Sequence, residues 1–344
     1  MKSIAGVLAP RPLLTRMALI VTTLVIGAGL CACDRTEQKP AGPPEKITIA
    51  SITLLEAAIA QVAQTRDYYR AEGLEATARV HPYGKLALDD LLAGKADFAT
   101  VAETPVMLAI MKGEKIAIIA TIHDSGVSHA IIARKDRGIL SPQDLKGKKI
   151  AVTLGTTSDF FLDALLSINR ISREEVEVVN MEAQEIPEAF TRDDIDAVSA
   201  FNPYKALGQK KWGDRVVTFE DKDIYRWTLN VVATQEFIRN NPDTVKKMLR
   251  ALVKSEEFVR GNPAEAQKIS SDFNKLDIDM VHDIWTGINF NVTLDQTLIL
   301  ALEDESRWAI NNGLIEARKV PNYLDSIYLD GLKSVKPDAV RILK

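Results

Sequence analysis

Two series of alternating strand and helix patterns fill the first two thirds of the chain, and this alternation constrains the fold more than any other feature. The first series begins with the strand pattern KITIAS at 46–51 and runs to KIAIIATI at 115–122. The second begins with KKIAVTL at 148–154 and ends with DRVVTF at 214–219. Short apolar strands that alternate with amphipathic helices predict parallel strands covered by helices. The sequence therefore predicts an α/β protein with two such units.

The last third of the chain has a different pattern. From about residue 234 it reads as nearly continuous helix, with segments such as PDTVKKMLRALVKSEEFVRG at 242–261 that begin at proline and end at glycine. Their amphipathic spacing predicts ordinary helix packing. A chain of about 300 residues beyond its N-terminal segment usually forms two domains.

The N-terminal residues have the pattern of a secretory signal. Three basic residues are followed by the apolar run MALIVTTLVIGAGL at 17–30, which is too short for a good membrane span. We therefore expect an exported protein that loses residues 1–32 as a signal peptide. The basic residues are Lys2, Arg11 and Arg16.

The signal ends in the chain's two cysteines. Cys31 follows Leu30, whereas Cys33 follows the small Ala32, so Cys33 fits a bacterial lipobox better. That resemblance predicts lipidation at Cys33 and a flexible tether over 33–45, rich in proline and charge. Ordinary signal cleavage with incidental cysteines is the alternative.

Charge and cysteine content exclude several classes of function. The chain has 43 Lys and Arg against 47 Asp and Glu, and the signal peptide holds none of the acids. An acidic exported protein is a poor candidate for nucleic-acid binding. With both cysteines at the signal, no disulfide, thiolate metal site or cysteine nucleophile is expected. Asp34 after the lipidated cysteine is typical of lipoproteins kept at the inner membrane, facing the periplasm.

The segment VTLGTTSDFF at 152–161 is the first candidate for a ligand contact. It reads as the end of a buried strand, a glycine turn, three hydroxyl residues and a helix start. A helix start offers unpaired N–H groups and a partial positive charge. The hydroxyls could donate to a ligand or cap the helix. These ten residues leave both interpretations open.

Four segments in order resemble the periplasmic binding proteins for nitrate, sulfonates, taurine and related small molecules, which supply ATP-driven importers. The similarity spans about residues 46–275. It implies a two-lobed, type II periplasmic-binding-protein fold. Each lobe would hold a mainly parallel sheet flanked by helices, with two crossover strands and a helical C-terminal region. The segments are LLAGKADFATVAETPVMLAI, DLKGKKIAV, DDIDAVSAFNP and EFIRNNPDTVKKML.

The resemblance also implies where the lobes lie. The first lobe would comprise 46–127 plus 234–344, and the second would comprise 137–225. The hinge crossovers would be 128–136 and 226–233. A ligand would bind between the lobes, because open α/β sheets bind ligands beyond the carboxyl ends of their strands.

The residues expected to contact the ligand follow strand ends or stand at helix starts. Tyr83 replaces the serine of a family Ser-Gly turn, and Phe201 stands where the family often has tryptophan. Phe201 can stack on a planar or apolar group, with core packing as the alternative. The full expected set is Thr53, Leu54, Tyr83, Gly84, Glu103, Thr104, Gly155, Thr156, Thr157, Ser158, Asp159, Phe201, Asn202 and Trp227.

Two acids in this set bear on the charge of the ligand. Glu103 stands where relatives often have Ser or Gly, and Asp159 lies at the helix start of the hydroxyl-rich segment. Each also has a structural explanation, because acids stabilise helix starts. If both face the cleft, they would repel a bare anion. An aminosulfonate, a pyrimidine or another heterocycle with a donor group would then fit better.

His123 and His129 flank the segment DSGVS. A histidine pair could bind a metal or act as a base, but no third ligand is usefully spaced beside it. Hydrogen bonding near the hinge is the favoured interpretation. We expect no metal, no cofactor and no catalytic residue.

The sequence thus predicts the solute-binding receptor of an ABC-type importer. Its expected partners are a sulfonate, taurine-like or heterocyclic solute, the permease and ATPase subunits, and the inner membrane through a lipid anchor. Ligand between the lobes would favour closure, and we expect a monomer. One alternative is a biosynthetic enzyme on the same fold that acts on a small heterocycle, which the export signal and the lack of a nucleophile motif oppose. The other is a solute-sensing partner of a membrane receptor.

Overall fold

A computed structural model of the protein describes residues 42–343. The predicted signal peptide, the lipidation site Cys33 and residues 33–41 of the tether lie outside the described residues. Within 42–343, none of the helices has the length and apolar character that a membrane span needs.

Twelve strands in this range form two sheets. The strands are β1 Glu45–Ile52, β2 Leu74–His81, β3 Phe98–Ala102, β4 Ile116–Ser125, β5 His129–Arg134, β6 Lys149–Val152, β7 Glu177–Asn180, β8 Ala197–Phe201, β9 Val216–Phe219, β10 Trp227–Thr234, β11 Asn289–Asp295 and β12 Val340–Arg341. The larger sheet has the order β12-β11-β4-β10-β3-β1-β2, and the smaller has the order β7-β6-β8-β5-β9. We call the parts built on the larger and smaller sheets lobe one and lobe two.

Helices connect and cover these strands. They are α1 Ala58–Thr65, α2 Tyr68–Ala71, α3 Gly84–Leu92, α4 Glu103–Met111, α5 Thr157–Ile168, α6 Tyr204–Trp212, α7 Gln235–Asn240, α8 Pro242–Gly261, α9 Pro263–Asn274, α10 Ile278–Trp285, α11 Gln296–Asn311 and α12 Leu329–Val335. The segment IPEAFTR at 186–192, whose sequence pattern predicts a helix, is part of a 3-10 helix, Ala183–Thr191, that contains Pro187. Proline inside a helix removes a backbone donor and disfavours the regular α form.

The strand directions are mixed, which differs from the mainly parallel sheets that we expected. β1 runs parallel to β2 and β3, and β6 runs parallel to β7 and β8, as strand-helix-strand units require. β10 is antiparallel to both β3 and β4, and β5 is antiparallel to both β8 and β9. The chain enters each sheet from the other lobe through these two strands, so they run against their neighbours.

The chain passes between the lobes twice within the described range. Residues 126–128 connect β4 to β5, and residues 220–226 connect β9 to β10. We call these segments the first and second hinge links. The predicted crossovers at 128–136 and 226–233 fall largely on β5 and β10, so each link lies just before its predicted crossover.

Two local features were missed in the sequence. The segment at 54–71 has apolar residues at helical spacing that predict one helix, but the structure breaks it at Asp67, whose φ of 55° lies in the left-handed region. The C-terminal region is also not wholly helical, because β11 and β12 extend the larger sheet at its edge. The buried side chains of Phe290, Val292 and Leu294 alternate along β11 with more exposed ones, which is the period of a strand with one buried face.

The starts of α3 and α4 lie close together at the carboxyl ends of β2 and β3. A Cβ atom at Gly84 would lie 3.1 Å from Ala102 N and 3.1 Å from Val101 Cα. Only glycine therefore allows α3 to begin directly against the end of β3. This close approach brings two helix starts to the face of lobe one that looks toward lobe two.

Candidate functional site

A small cavity lies between the lobes, at the carboxyl ends of strands from both sheets. Its volume open to the centre of a water molecule is about 20 Å³, which is room for about one water. We call it the interlobe cavity. From lobe one it is lined by Ile52, Leu54, Tyr83, Gly84, Lys85, Ala102, Pro105, Trp227 and Leu229, and from lobe two by Thr156, Thr157 and Phe201.

The structure brings half of the expected ligand-contact set to this cavity. These residues are Leu54, Tyr83, Gly84, Thr156, Thr157, Phe201 and Trp227. The remaining members do not line the cavity: Thr53, Glu103, Thr104, Gly155, Ser158, Asp159 and Asn202. Lys85 lines it and was missed in the sequence, although its place directly after Gly84 at a helix start was a usable signal.

Three helix starts converge on the cavity. Tyr83, Ala102 and Thr156 are the residues that precede α3, α4 and α5, and all three line it. None of the three side chains accepts a hydrogen bond from the first turn of its helix. The first N–H groups of a helix carry a partial positive charge. The cavity is therefore suited to a negatively charged group.

Lys85 adds a full positive charge at the edge of the cavity. Its Nζ atom donates to the carbonyl oxygen of Leu154 across the lobes, at 3.2 Å. Leu154 immediately precedes the glycine turn that leads into α5. The ammonium group of lobe one is thus held beside the helix start of lobe two.

The hydroxyl groups at the start of α5 are not helix caps. Thr156 Oγ1 donates to the carbonyl oxygen of Thr153 at 2.7 Å. Thr157 Oγ1 lies 2.7 Å from His129 Nε2. Burial lowers the pKa of His129 to about 3, so its imidazole is neutral near pH 7. Ser158 Oγ is buried and has no hydrogen-bond partner among the described residues.

Aromatic side chains form one wall of the cavity. The indole of Trp227 packs against the rings of His123 and His129, with centroid distances of 4.6 Å and 5.7 Å. Trp227 Nε1 is buried without a hydrogen-bond partner in residues 42–343. Buried donors are nearly always paired, so this N–H is available to a bound solute. Phe201 lines the cavity from lobe two.

Asp159 faces away from the interlobe cavity. Its Oδ2 accepts a hydrogen bond from Gly155 N at 2.9 Å, and its Oδ1 pairs with Arg173 Nη2 at 2.8 Å. Arg173 also pairs with Asp163 at 2.7 Å. The carboxylate of Asp159 therefore shapes the turn before α5 and neutralises a partly buried arginine.

Glu103 is also engaged elsewhere. Its Oε2 accepts hydrogen bonds from Thr228 N at 2.9 Å and Thr228 Oγ1 at 3.2 Å, and its Oε1 accepts from Tyr225 Oη. Burial raises the pKa of Glu103 to about 7, against the hydrogen bonds, which lower it. With their oxygens engaged in these contacts, neither Glu103 nor Asp159 lines the cavity, and Arg173 offsets the charge of Asp159.

Further contacts hold the lobes together around the cavity. The hydroxyl of Tyr83 donates to the carboxylate of Glu182, and Tyr204 Oη donates to the carbonyl oxygen of Pro82 at 3.4 Å. Burial, reinforced by Glu182, raises the pKa of Tyr83 above its ordinary value.

The described residues include no cluster of three or more His, Cys, Asp or Glu side chains that could hold a metal ion.

Comparisons with known proteins agree with this architecture. The family model described as NMT1/THI5 like matches residues 56–266. A Bacillus subtilis (strain 168) protein named for binding aliphatic sulfonates is 25% identical over 266 residues, covering 76% of this chain and 80% of its own.

Two solved structures show the same fold. The periplasmic aliphatic sulphonate binding protein SsuA of Escherichia coli is 15% identical, with a TM-score of 0.71, and the match covers 83% of this chain and 98% of SsuA. The desulfurization enzyme DSZB is 14% identical, with a TM-score of 0.61 and coverage of 84% and 99%. These likenesses confirm the predicted two-lobed, type II periplasmic-binding-protein fold. They also show that the fold is found in an enzyme.

Proposed function

We propose that this chain, which belongs to the NMT1/THI5-like family, is a solute-binding receptor of an ABC-type importer that captures a small organic anion between its lobes. The observation that carries the proposal is the convergence of three helix starts and Lys85 on one interlobe cavity. Helix N-termini and an ammonium group together stabilise a negative charge. The relative named for binding aliphatic sulfonates supports the same class of solute.

The walls of the cavity indicate what the anion is attached to. Leu54, Phe201 and Trp227 offer apolar and aromatic surface, with the free indole N–H as a donor. Such a mixture suits a sulfonate or carboxylate with a small alkyl or aromatic group. Since the cavity holds about 20 Å³, capture requires the lobes to part and then close on the solute.

Binding without turnover is the proposed activity. The comparison relative is a binding protein, whereas DSZB is an enzyme of the same fold. The lining of the cavity consists mainly of apolar side chains and helix starts, which select and hold a solute. Incubation of the protein with a bound sulfonate, followed by NMR of the solute, tests this point, because any loss of solute would indicate an enzyme.

The binding test is a panel of solutes with one shared body and different head groups. Benzenesulfonate, benzoate, benzyl alcohol and benzylamine keep the ring and change the charge. A solute at a hundred times its Kd stabilises the protein by about 2.7 kcal/mol, which thermal unfolding detects. We expect stabilisation by the anions and none by the amine. Preference for the amine would refute the anionic site.

Lys85→Met tests the charge at the cavity directly. Because Lys85 is exposed at the cavity edge, its loss should weaken anion binding by about 1 kcal/mol, or roughly fivefold, and leave a neutral solute unaffected. Lys112→Met is the matched control, since Lys112 is an exposed lysine at the end of α4 and does not line the cavity. Equal weakening by both variants would show a general effect of net charge.

We further propose that the receptor is a periplasmic monomer, lipid-anchored to the inner membrane, that delivers its solute to permease and ATPase subunits. The lipobox-like sequence around Cys33 supports the anchor, and the sulphonate-binding neighbour is periplasmic. Metabolic labelling with an alkyne fatty acid tests the anchor. We expect Cys33→Ser to abolish labelling and Cys31→Ser to retain it, whereas labelling of Cys33→Ser would contradict this site.

A further inference from the structure

A chain of three hydrogen-bonding side chains lies at the junction of the lobes, outside the interlobe cavity. Glu103 is the first residue of α4, Tyr225 belongs to the second hinge link, and Glu305 lies on α11. Both carboxyl groups are fully buried. Tyr225 Oη donates to Glu103 Oε1 and lies 3.1 Å from Glu305 Oε1. One phenol therefore lies between two buried acids.

The number of available protons determines which groups donate and which accept in this hydrogen-bond chain. Tyr225 has one hydroxyl proton, so it can donate to only one of the two acids. Glu103 is the better acceptor as a carboxylate, because Thr228 also gives it two hydrogen bonds, from N at 2.9 Å and Oγ1 at 3.2 Å. Glu103 thus accepts the one hydrogen bond that the Tyr225 hydroxyl can donate. Tyr225 Oη is left as an acceptor toward Glu305.

Glu305 can satisfy that acceptor only by carrying a proton itself. Among the described residues, its Oε2 has no hydrogen-bond partner. An ionised carboxylate in this position would be buried with only the hydroxyls of Tyr225 and Thr104 near it as donors and would face the charge of Glu103, which is costly. A protonated Glu305 instead donates to Tyr225 Oη, which donates to Glu103. All three members are then connected in one direction.

The groups that face this chain leave the assignment unchanged. The hydroxyl of Thr104 lies 3.5 Å from Tyr225 Oη, and the ring of His129, which is neutral near pH 7, lies 5.4 Å from the ring of Tyr225. On α11, Glu303 pairs with Arg307. The hydroxyl of Tyr323 is hydrogen-bonded to Ser306. Trp308 Nε1 donates to Asp163, and Asp163 forms a salt bridge with Arg173.

Tyr225 connects this hydrogen-bond chain to both lobes. Its hydroxyl bonds to Glu103 of lobe one, while its ring packs against Phe160 of lobe two at a centroid distance of 4.9 Å. Phe160 in turn packs against Trp308 on α11, at 5.3 Å. A change in the charge of Glu305 therefore acts where the second hinge link, α5 and α11 meet.

We propose that Glu305 is a proton-binding site at the lobe junction, and that release of its proton to solvent as pH rises weakens the contact between the lobes. Protonated Glu305 completes the hydrogen-bond chain. When Glu305 is deprotonated, two carboxylates flank one phenol oxygen. The hydrogen bond between Tyr225 of the second hinge link and Glu305 of α11 is then lost.

The electrostatic environment also favours the protonated form of Glu305. Burial raises the pKa of Glu305 well above its ordinary value, and the negative charge of Glu103 raises it further. A raised folded-state pKa contributes stability that is complete below the ordinary pKa and is lost as pH rises through the folded-state pKa. The folding equilibrium constant should fall up to tenfold per pH unit in that window.

Urea unfolding of the full protein between pH 5 and 9, without solute, tests the proposal. Glu305→Gln keeps a donor for Tyr225 Oη and cannot ionise, so its stability should fall less with rising pH than that of the wild type. Glu303→Gln is the matched control, because it removes an acid from the outer side of the same helix and should behave as the wild type does. An equal alkaline loss in the wild type and in Glu305→Gln would overturn the proposal.

A second measurement does not depend on any variant folding well. Carboxyl-13C-glutamate NMR of the wild type, with the resonance assigned by its absence in Glu305→Gln, reports the protonation state directly. We expect the Glu305 signal to remain at its protonated position above the pH at which exposed glutamates ionise, and to shift at higher pH. Small-angle scattering should show the radius of gyration rising with that shift. A Glu305 signal that ionises together with those of the exposed glutamates would refute the proposal.

Discussion

Gly84, the first residue of α3, is the position where one added methyl group should disturb the candidate site most directly. A Cβ atom there would lie 3.1 Å from Ala102 N and from Val101 Cα. Ordinary contact begins at 3.4 Å, and both neighbours are backbone atoms that cannot rotate away. The start of α3 would have to move away from the end of β3.

We expect Gly84→Ala to lower the free energy of unfolding by about 1–2 kcal/mol. Overpacking a buried position costs about 1–3 kcal/mol, and the higher helix propensity of alanine returns up to about 1 kcal/mol. The φ of Gly84 lies outside the left-handed region, so steric crowding is the cause. Displacement of α3 also moves Tyr83 and Lys85, so affinity for a sulfonate should fall about tenfold, or ~1.4 kcal/mol.

Urea unfolding and isothermal titration calorimetry measure the two effects. Gly261→Ala is the matched control, because a Cβ at Gly261 meets nothing within 4 Å and its φ is not left-handed. That variant should be as stable as the wild type or more stable by up to about 1 kcal/mol. If Gly84→Ala kept both wild-type stability and wild-type affinity, the start of α3 would not need its close approach to β3, and the reasoning would be wrong.

Three further predictions concern the surroundings of the cavity. Asp159→Asn should lower the free energy of unfolding by about 1–3 kcal/mol, because it leaves Arg173 with one carboxylate partner instead of two; an unchanged urea midpoint would contradict this. Trp227→Phe removes an N–H that has no partner in residues 42–343 together with part of the buried ring that packs against His123 and His129, so stability should fall by about 1–2 kcal/mol and solute affinity should fall. Unchanged affinity in calorimetry would show that the N–H does not reach the solute. Burial lowers the pKa of His129 to about 3 and that of His123 well below its ordinary value, so the contribution of these two histidines to stability should be complete above pH 6.5 and fall as pH drops. His129→Gln should reduce this loss by about 1.4 kcal/mol per pH unit between pH 4 and 6, and an undiminished loss in its urea midpoints would refute the contribution.

Local patterns predicted most of the secondary structure. The helix read at 242–261 is α8, with its proline and glycine at the two ends, and the nine strand patterns between 46 and 219 all form strands. Periodicity and end residues act over short distances, so a single sequence reveals them. β11 has the same kind of signal, but its helical surroundings hid a short strand.

The arrangement of the sheets depended on information that local patterns lack. β10 lies between β3 and β4, more than 100 residues away from either in the chain. The sequence of β10 does not indicate which strands it pairs with or in which direction it runs. The resemblance to binding proteins supplied the two-lobed fold, whereas the mixed strand directions emerged only from the pairing itself.

The candidate site shows the same limit at the level of side chains. The lining of the interlobe cavity includes Tyr83, Thr157 and Trp227, which were expected near the ligand from their positions after a strand, at a helix start and at the second crossover. Position could not show that Glu103 turns toward Tyr225, because that partner is 122 residues away. The same holds for Asp159 and Arg173. The expected preference for a donor-bearing solute depended on both carboxylates facing the cleft, and neither lines the interlobe cavity.

The place of β10 between β3 and β4 also sets an order of folding. All of lobe two is synthesised between β4 and β10, so the larger sheet stays open at its middle until residues 227–234 are present. Lobe two is one continuous stretch and closes its sheet through shorter loops, which favours faster folding. Refolding from urea should therefore show lobe two forming first, with closure of the larger sheet as the slow step. The same order keeps the two halves of lobe one unpaired at their junction until β10 is present.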